Sequence, residues 1–159
     1  MPQRIPITGL SEIVLNVADL PSMKHFYSEV LGFPVHSEVC LETTEPDPSG
    51  EPTITFLTIA ETDTPLCRGG HPQLLALIDY RRHIYSREKF RGHDVRQSTL
   101  NHFAFEIPPA AFDTHAERLT KLGLNPHLSE FPALNARAIF FSDPEGNTVE
   151  LICHHAVGE

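Results

Sequence analysis

The sequence contains no tryptophan, two methionines and three cysteines in 159 residues. It is also short of positive charge. Twelve Lys and Arg stand against 21 Asp and Glu, a formal net charge of −9. No basic stripe is present, which argues against nucleic acid as a partner. No apolar run approaches the roughly 20 residues that a membrane span needs. The opening MPQRIPITGL lacks the apolar core of a secretory signal. Cys40, Cys67 and Cys153 are scattered and odd in number, which suits buried thiols in a reducing compartment and not a disulfide framework. The expectation is a cytoplasmic protein, free of disulfides, with no membrane partner.

What is present is enough for a core. Apolar residues make up 40% of the chain, and 159 residues suit one domain. The 14 prolines punctuate many short elements, and the 10 histidines need individual reasons.

The chain reads as two similar halves. In GLSEIVLNVADL, Ile13, Leu15 and Val17 alternate with Val14 and Asn16, as in a strand. LPSMKHFYSEVLGF spaces Leu20, Met23, Phe26, Tyr27, Val30 and Leu31 as a helix does, with Gly32 as its stop. PVHSEVCLET, TITFLTIAE and QLLALIDY follow as strands, with TEPDPSGEP a polar loop. The second half repeats the plan. TLNHFAFEIP is a strand, AAFDTHAERLTKLGL an amphipathic helix stopped by Gly123, NPHLSEF a weak strand, and LNARAIFFSD and NTVELICHH the last two strands. RRHIYSREKFRGHDVRQS is polar and reads as a linker or surface helix. The fold class is therefore α+β, two βαβββ modules over residues 9–80 and 99–155, joined by residues 81–98.

The stretch FFSDPEGNTVELICHH carries the first chemical question. It reads as strand, tight turn, strand. Glu150 lies inside an almost wholly apolar strand, where a carboxylate is costly unless a cation or metal partners it. A salt bridge to an arginine such as Arg137 is one way to satisfy it. Cys153 lies three residues on, so in an extended strand it faces the opposite way and packs as a small hydrophobe. Phe140 and Phe141 likewise point oppositely.

SEIVLNVADLPSMKHFYSEVLGF resembles the first module of the vicinal oxygen chelate superfamily, and LNHFAFEI with FFSDPEGNTVEL resembles the second. That superfamily holds glyoxalase I, extradiol dioxygenases, fosfomycin-resistance enzymes, methylmalonyl-CoA epimerase and bleomycin-binding proteins. The resemblance implies a curved mixed sheet around a cleft, usually with a divalent metal. It places metal ligands at Glu12, His102 and Glu150. The fourth possible position falls on Ala76, which cannot bind a metal. The family usually has His or Gln where this chain has Glu12. The set implied is one nitrogen and two carboxylates, which suits Fe²⁺, Mn²⁺, Zn²⁺, Co²⁺ or Ni²⁺ without selecting among them. His25, His71, His115, His154 and His155 are weaker candidates, with a solvated face the default for those in helices.

The implied function is a metal-dependent enzyme acting on a small substrate with vicinal oxygens, of lyase, isomerase or dioxygenase type. The alternative is a metal-free binding protein of the bleomycin-resistance type. Glu12 is either a ligand or a catalytic base taking a proton from a carbon α to a carbonyl. Phe140 stands where ring-cleaving members carry a tyrosine, so it is expected to line the substrate site and to disfavour catechol cleavage. Homodimers are common in the family, and modules can pair within one chain or between two.

Overall fold

A computed structural model of the chain describes residues 10–60, 72–92, 94 and 96–154. Asp19 opens the first helix: its side chain accepts from Ser22 N at 3.0 Å. Pro21 occupies the first turn, where its lack of an N–H costs nothing. The helix α1 (Leu20–His25) runs on as a π-helical turn, Phe26–Val30, and Gly32 ends it at φ +82°. The second helix, α2 (Phe112–Lys121), ends the same way, with Gly123 at φ +77°. Both glycines adopt the left-handed backbone that terminates helices.

The strands fall into two mixed sheets. The first comprises β1 (Glu12–Val17), β2 (Val35–Val39), β3 (Ile54–Ala60) and β4 (Gln73–Asp79), in the order β1-β4-β3-β2. The second comprises β5 (Phe103–Glu106), β6 (His127–Phe131), β7 (Ala136–Ser142) and β8 (Thr148–His154), in the order β5-β8-β7-β6. In each, the first strand runs parallel to the last and the other pairs are antiparallel. The expected α+β architecture of two similar βαβββ modules is the one observed. The chain divides into two compact units after residue 93.

Register makes the two sheets superimposable on paper. Across the first, Val14 pairs with Ala76, Ala76 with Phe56 and Phe56 with Ser37. Across the second, Ala104 pairs with Glu150, Glu150 with Phe140 and Phe140 with His127. Residues paired across strands share a face, so each row lies on one side of its sheet. The neighbouring rows form the core. Leu15, Leu57, Leu75 and Leu77 are buried in the first unit; Phe105, Phe141, Val149 and Leu151 are buried in the second.

The turn between β7 and β8 is held by Asp143. Its Oδ1 accepts from Glu145 N at 3.0 Å and Asn147 N at 2.9 Å, and its Oδ2 from Asn147 Nδ2 at 2.8 Å. Gly146 takes the positive φ, +85°. Asn147 contributes its side-chain hydrogen bond instead. Residues 81–89, within the stretch read as a linker or surface helix, form successive turns and a bend. There Tyr80 meets Phe90 edge-on at 4.9 Å, and His83 and Ser86 are buried. Cys40 and Cys153 are buried free thiols, as expected, while Cys67 lies outside the described residues. Among the described residues no helix is long and apolar enough to cross a membrane.

Candidate metal centre

Glu150 is 4% exposed, in the middle of β8. His102 stands two residues before Ala104, the partner of Glu150 in register. The two-residue period of a strand returns it to the same face, one step along. Its Nε2 lies 3.0 Å from Glu150 Oε2. Phe140, paired with Glu150 across the strands, sets its ring edge-on to His102 at 5.7 Å. Phe131 flanks Phe140 on the far side at 6.3 Å. The second unit thus assembles an imidazole, a buried carboxylate and an aromatic floor on one face.

Arg137 is not the partner of Glu150. In register it pairs with Cys153, three residues on, and so lies on the opposite face. Its guanidinium donates to Asp113 at 2.9 Å and sits over the Phe112 ring at 3.7 Å. The arginine salt bridge is therefore used to bind α2 to β7, and His102 is the group that faces Glu150.

Asn101 sharpens the chemistry. Its Oδ1 lies 2.6 Å from His102 Nδ1. With the Asn101 oxygen turned to the ring, Nδ1 carries the proton and Nε2 of a neutral imidazole is a bare lone pair; with the amide turned over, Nε2 carries the proton and donates to Glu150. In the first arrangement the lone pair and the carboxylate of Glu150 are both acceptors, and 3.0 Å apart they repel unless a cation or a second proton lies between them. Two donors bound at right angles to one ion, each at about 2.1 Å, stand about 3.0 Å apart. The pair fits a divalent metal on this geometry. A carbonyl holding the other nitrogen of a metal-bound histidine is also the usual outer support of such a ligand.

Glu12 occupies the equivalent of His102 in the first unit. It stands two residues before Val14, the partner of Ala76, as His102 stands before Ala104, the partner of Glu150. It is exposed and lines a cavity of about 370 Å³ with Ser11, His36, Ser37, Phe56 and Leu74. Ala76, wholly buried, leaves that unit without a carboxylate at the position equivalent to Glu150. Among the described residues no group of three His, Cys, Asp or Glu side chains is gathered for one ion. The structure brings His102, Glu150 and Phe140 together in the second unit and places Glu12 in the first.

Four residues at these faces escaped the reading of the sequence: Asn101, Phe56, His36 and His127. Aligning the halves on Ala76 and Glu150 would have paired Phe56 with Phe140. His154 is drawn to Glu106 at 3.8 Å. Burial holds the His83 imidazole below its ordinary range, and burial with the Arg118 charge does the same to His115. His71 and His155 lie outside the described residues.

The family model Glyoxalase/Bleomycin resistance protein/Dioxygenase superfamily matches residues 9–151. The chain belongs to that superfamily. Among curated proteins it is 35% identical over 79 residues to fosfomycin resistance protein FosX of Mesorhizobium japonicum, a match covering 42% of this chain and 56% of that protein. The chain thus spans little more than half the length of that relative. A lactoylglutathione lyase from Agrobacterium tumefaciens has the same fold, with TM-score 0.63 and 18% identity over 98% of this chain and 100% of that one. So does a mutant FosX from Listeria monocytogenes complexed with Mn(II) and 1S,2S-dihydroxypropylphosphonic acid, with TM-score 0.64 and 20% identity over 95% of each chain.

Proposed function

We propose that the protein is a divalent-metal-dependent enzyme acting on a small substrate with vicinal oxygens, by lyase or isomerase chemistry. The observation that carries this is the facing of His102 Nε2 and the buried Glu150 Oε2 at 3.0 Å, with Asn101 behind the ring. His102 and Glu150 would hold the ion. Glu12 completes the set or acts as the base, from the same chain or from a second copy in a homodimer. When bound, a divalent ion polarises a substrate carbonyl and acidifies the carbon beside it. Glu12 would take the proton from that carbon onto its carboxylate. Asn101 keeps the His102 proton on Nδ1. Phe140 keeps water from one side and offers neither a proton nor a hydrogen bond, which favours proton transfer over catechol cleavage.

The test begins with metal content after purification without added metal, then titration with Mn²⁺, Zn²⁺ and Ni²⁺. One ion per chain is expected, lost in both His102→Ala and Glu150→Gln. Loaded protein is then assayed with the methylglyoxal–glutathione hemithioacetal and with fosfomycin, probes suggested by what the relatives are named for. Mixing Glu12→Ala chains with His102→Ala chains restores activity if the site is shared between copies. A second reading is supported by the same pair. A doubly protonated His102 would form an ion pair with Glu150, as in a metal-free binding protein, and absence of metal uptake would select it.

A further inference from the structure

Deepening that reading, and resting on it for the reacting end of the substrate, we infer that His36 recognises the substrate's other end, and that this end carries an oxyanion such as a carboxylate. His36 lies on β2, the far edge of the first sheet from β1. It is placed there by a bulge. Ser37 pairs with Phe56 and Val35 with Leu57, so the slip between them leaves His36 with no partner opposite. The equivalent strand β6 runs through five consecutive pairs against β7 with no slip. A bulge adds one residue and re-aims side chains, at a cost in ladder hydrogen bonds. Here it puts His36 and Ser37 together in the wall of the 370 Å³ cavity.

His36 Nδ1 lies 3.1 Å from Ser37 Oγ. The ring is thus oriented through one nitrogen, which leaves Nε2 as the group offered to a ligand. The cavity is graded from end to end. Glu12 and Ser11 belong to the β1 side, Leu74 and Phe56 form an apolar middle, and His36 and Ser37 close the β2 side. Three strand spacings separate β1 from β2, about 14 Å. The span suits a small molecule lying across Phe56, with its chelating oxygens toward Glu12 and an acceptor-rich end at His36. The volume accommodates such a ligand, near the lower end of the range for small-molecule sites. With the Ser37 hydroxyl donating to Nδ1, the ring presents Nε2–H, and such a donor favours an oxyanion over an apolar end.

The test uses the full-length, metal-free protein, so it is read separately from metal uptake. Imidazole and phenylalanine resonances are followed by NMR while phenylacetate, acetate and benzyl alcohol are added in turn. Phenylacetate is expected to shift His36 and Phe56 saturably, with benzyl alcohol and acetate each much weaker. His36→Gln should weaken phenylacetate about tenfold, the loss of one charge-assisted hydrogen bond. Ser37→Ala, which leaves the ring but frees it to turn, should give a smaller loss. Unchanged binding by His36→Gln, equal binding of phenylacetate and benzyl alcohol, no binding, or shifts confined to residues outside the cavity would each overturn the inference. Failure of metal uptake with the His36 result intact would overturn only the metal reading.

Discussion

Across the first sheet the row reads Val14, Ala76, Phe56, Ser37; across the second it reads Ala104, Glu150, Phe140, His127. The rows of core residues beside them are mostly apolar, Thr55 and Glu38 at the β2 side of the first sheet excepted. Leu77 corresponds to Leu151 and Leu57 to Phe141, all buried. The lesson is that one face of each sheet is constrained by packing and the other is free to diverge. Of the two rows, the second places a buried carboxylate, Glu150, on its last strand. The first has an alanine there, keeps its acid at the exposed strand mouth as Glu12, and gains a bulged histidine.

The comparison breaks first at the core. Leu77→Ala and Leu151→Ala should each cost about 2–5 kcal/mol, as buried leucine truncations do. Near-equal losses by denaturant titration would support the equivalence drawn from register. A surface-like cost at either would refute it. Next in size is the chemical asymmetry. Glu150→Gln should weaken divalent-metal binding at least about 100-fold, since even an outer-shell partner is worth 10–100-fold. Ala76→Ser should leave it unchanged, and calorimetric titration of both variants decides.

Ala76→Glu sharpens the comparison by giving the first unit a carboxylate at the position equivalent to Glu150. The new carboxylate would face Glu12 in a buried position, and the metal-free protein should lose about 1–3 kcal/mol. Added Mn²⁺ or Zn²⁺ should return much of that loss, measured as a rise in Tm larger than in the parent. The smallest effect concerns pH. His83 is buried and its imidazole is held below its ordinary range, so the unfolded chain binds the proton more readily than the folded one. Stability from this group is full above the ordinary histidine range and falls as pH drops through and below it. His83→Gln should flatten the stability profile between about pH 6.5 and 5, the region where an unperturbed histidine gains its proton. An unchanged slope in equilibrium unfolding would dismiss the role of His83.

Much of this molecule was legible before any coordinates. Strand alternation around Leu15, helical spacing from Leu20 to Leu31, the stops at Gly32 and Gly123 and the turn at Asp143 are all local signals. Each acts within a few residues, so the chain order β-α-β-β-β, twice over, follows from the sequence. That Cys153 faces away from Glu150 follows too, because a strand's period is two. Partnerships were less accessible. Arg137 was a reasonable partner for Glu150 by charge, but β7 and β8 pair in a register that sends it to the other face, toward Asp113. Asn101 acquires its meaning only when its oxygen meets His102. His36 reads as an ordinary strand residue until the slip against β3 sets it in the cavity wall. Local backbone preference determined the elements and their repetition. Which side chains meet was decided by non-local strand register, where a shift of one residue exchanges the two faces.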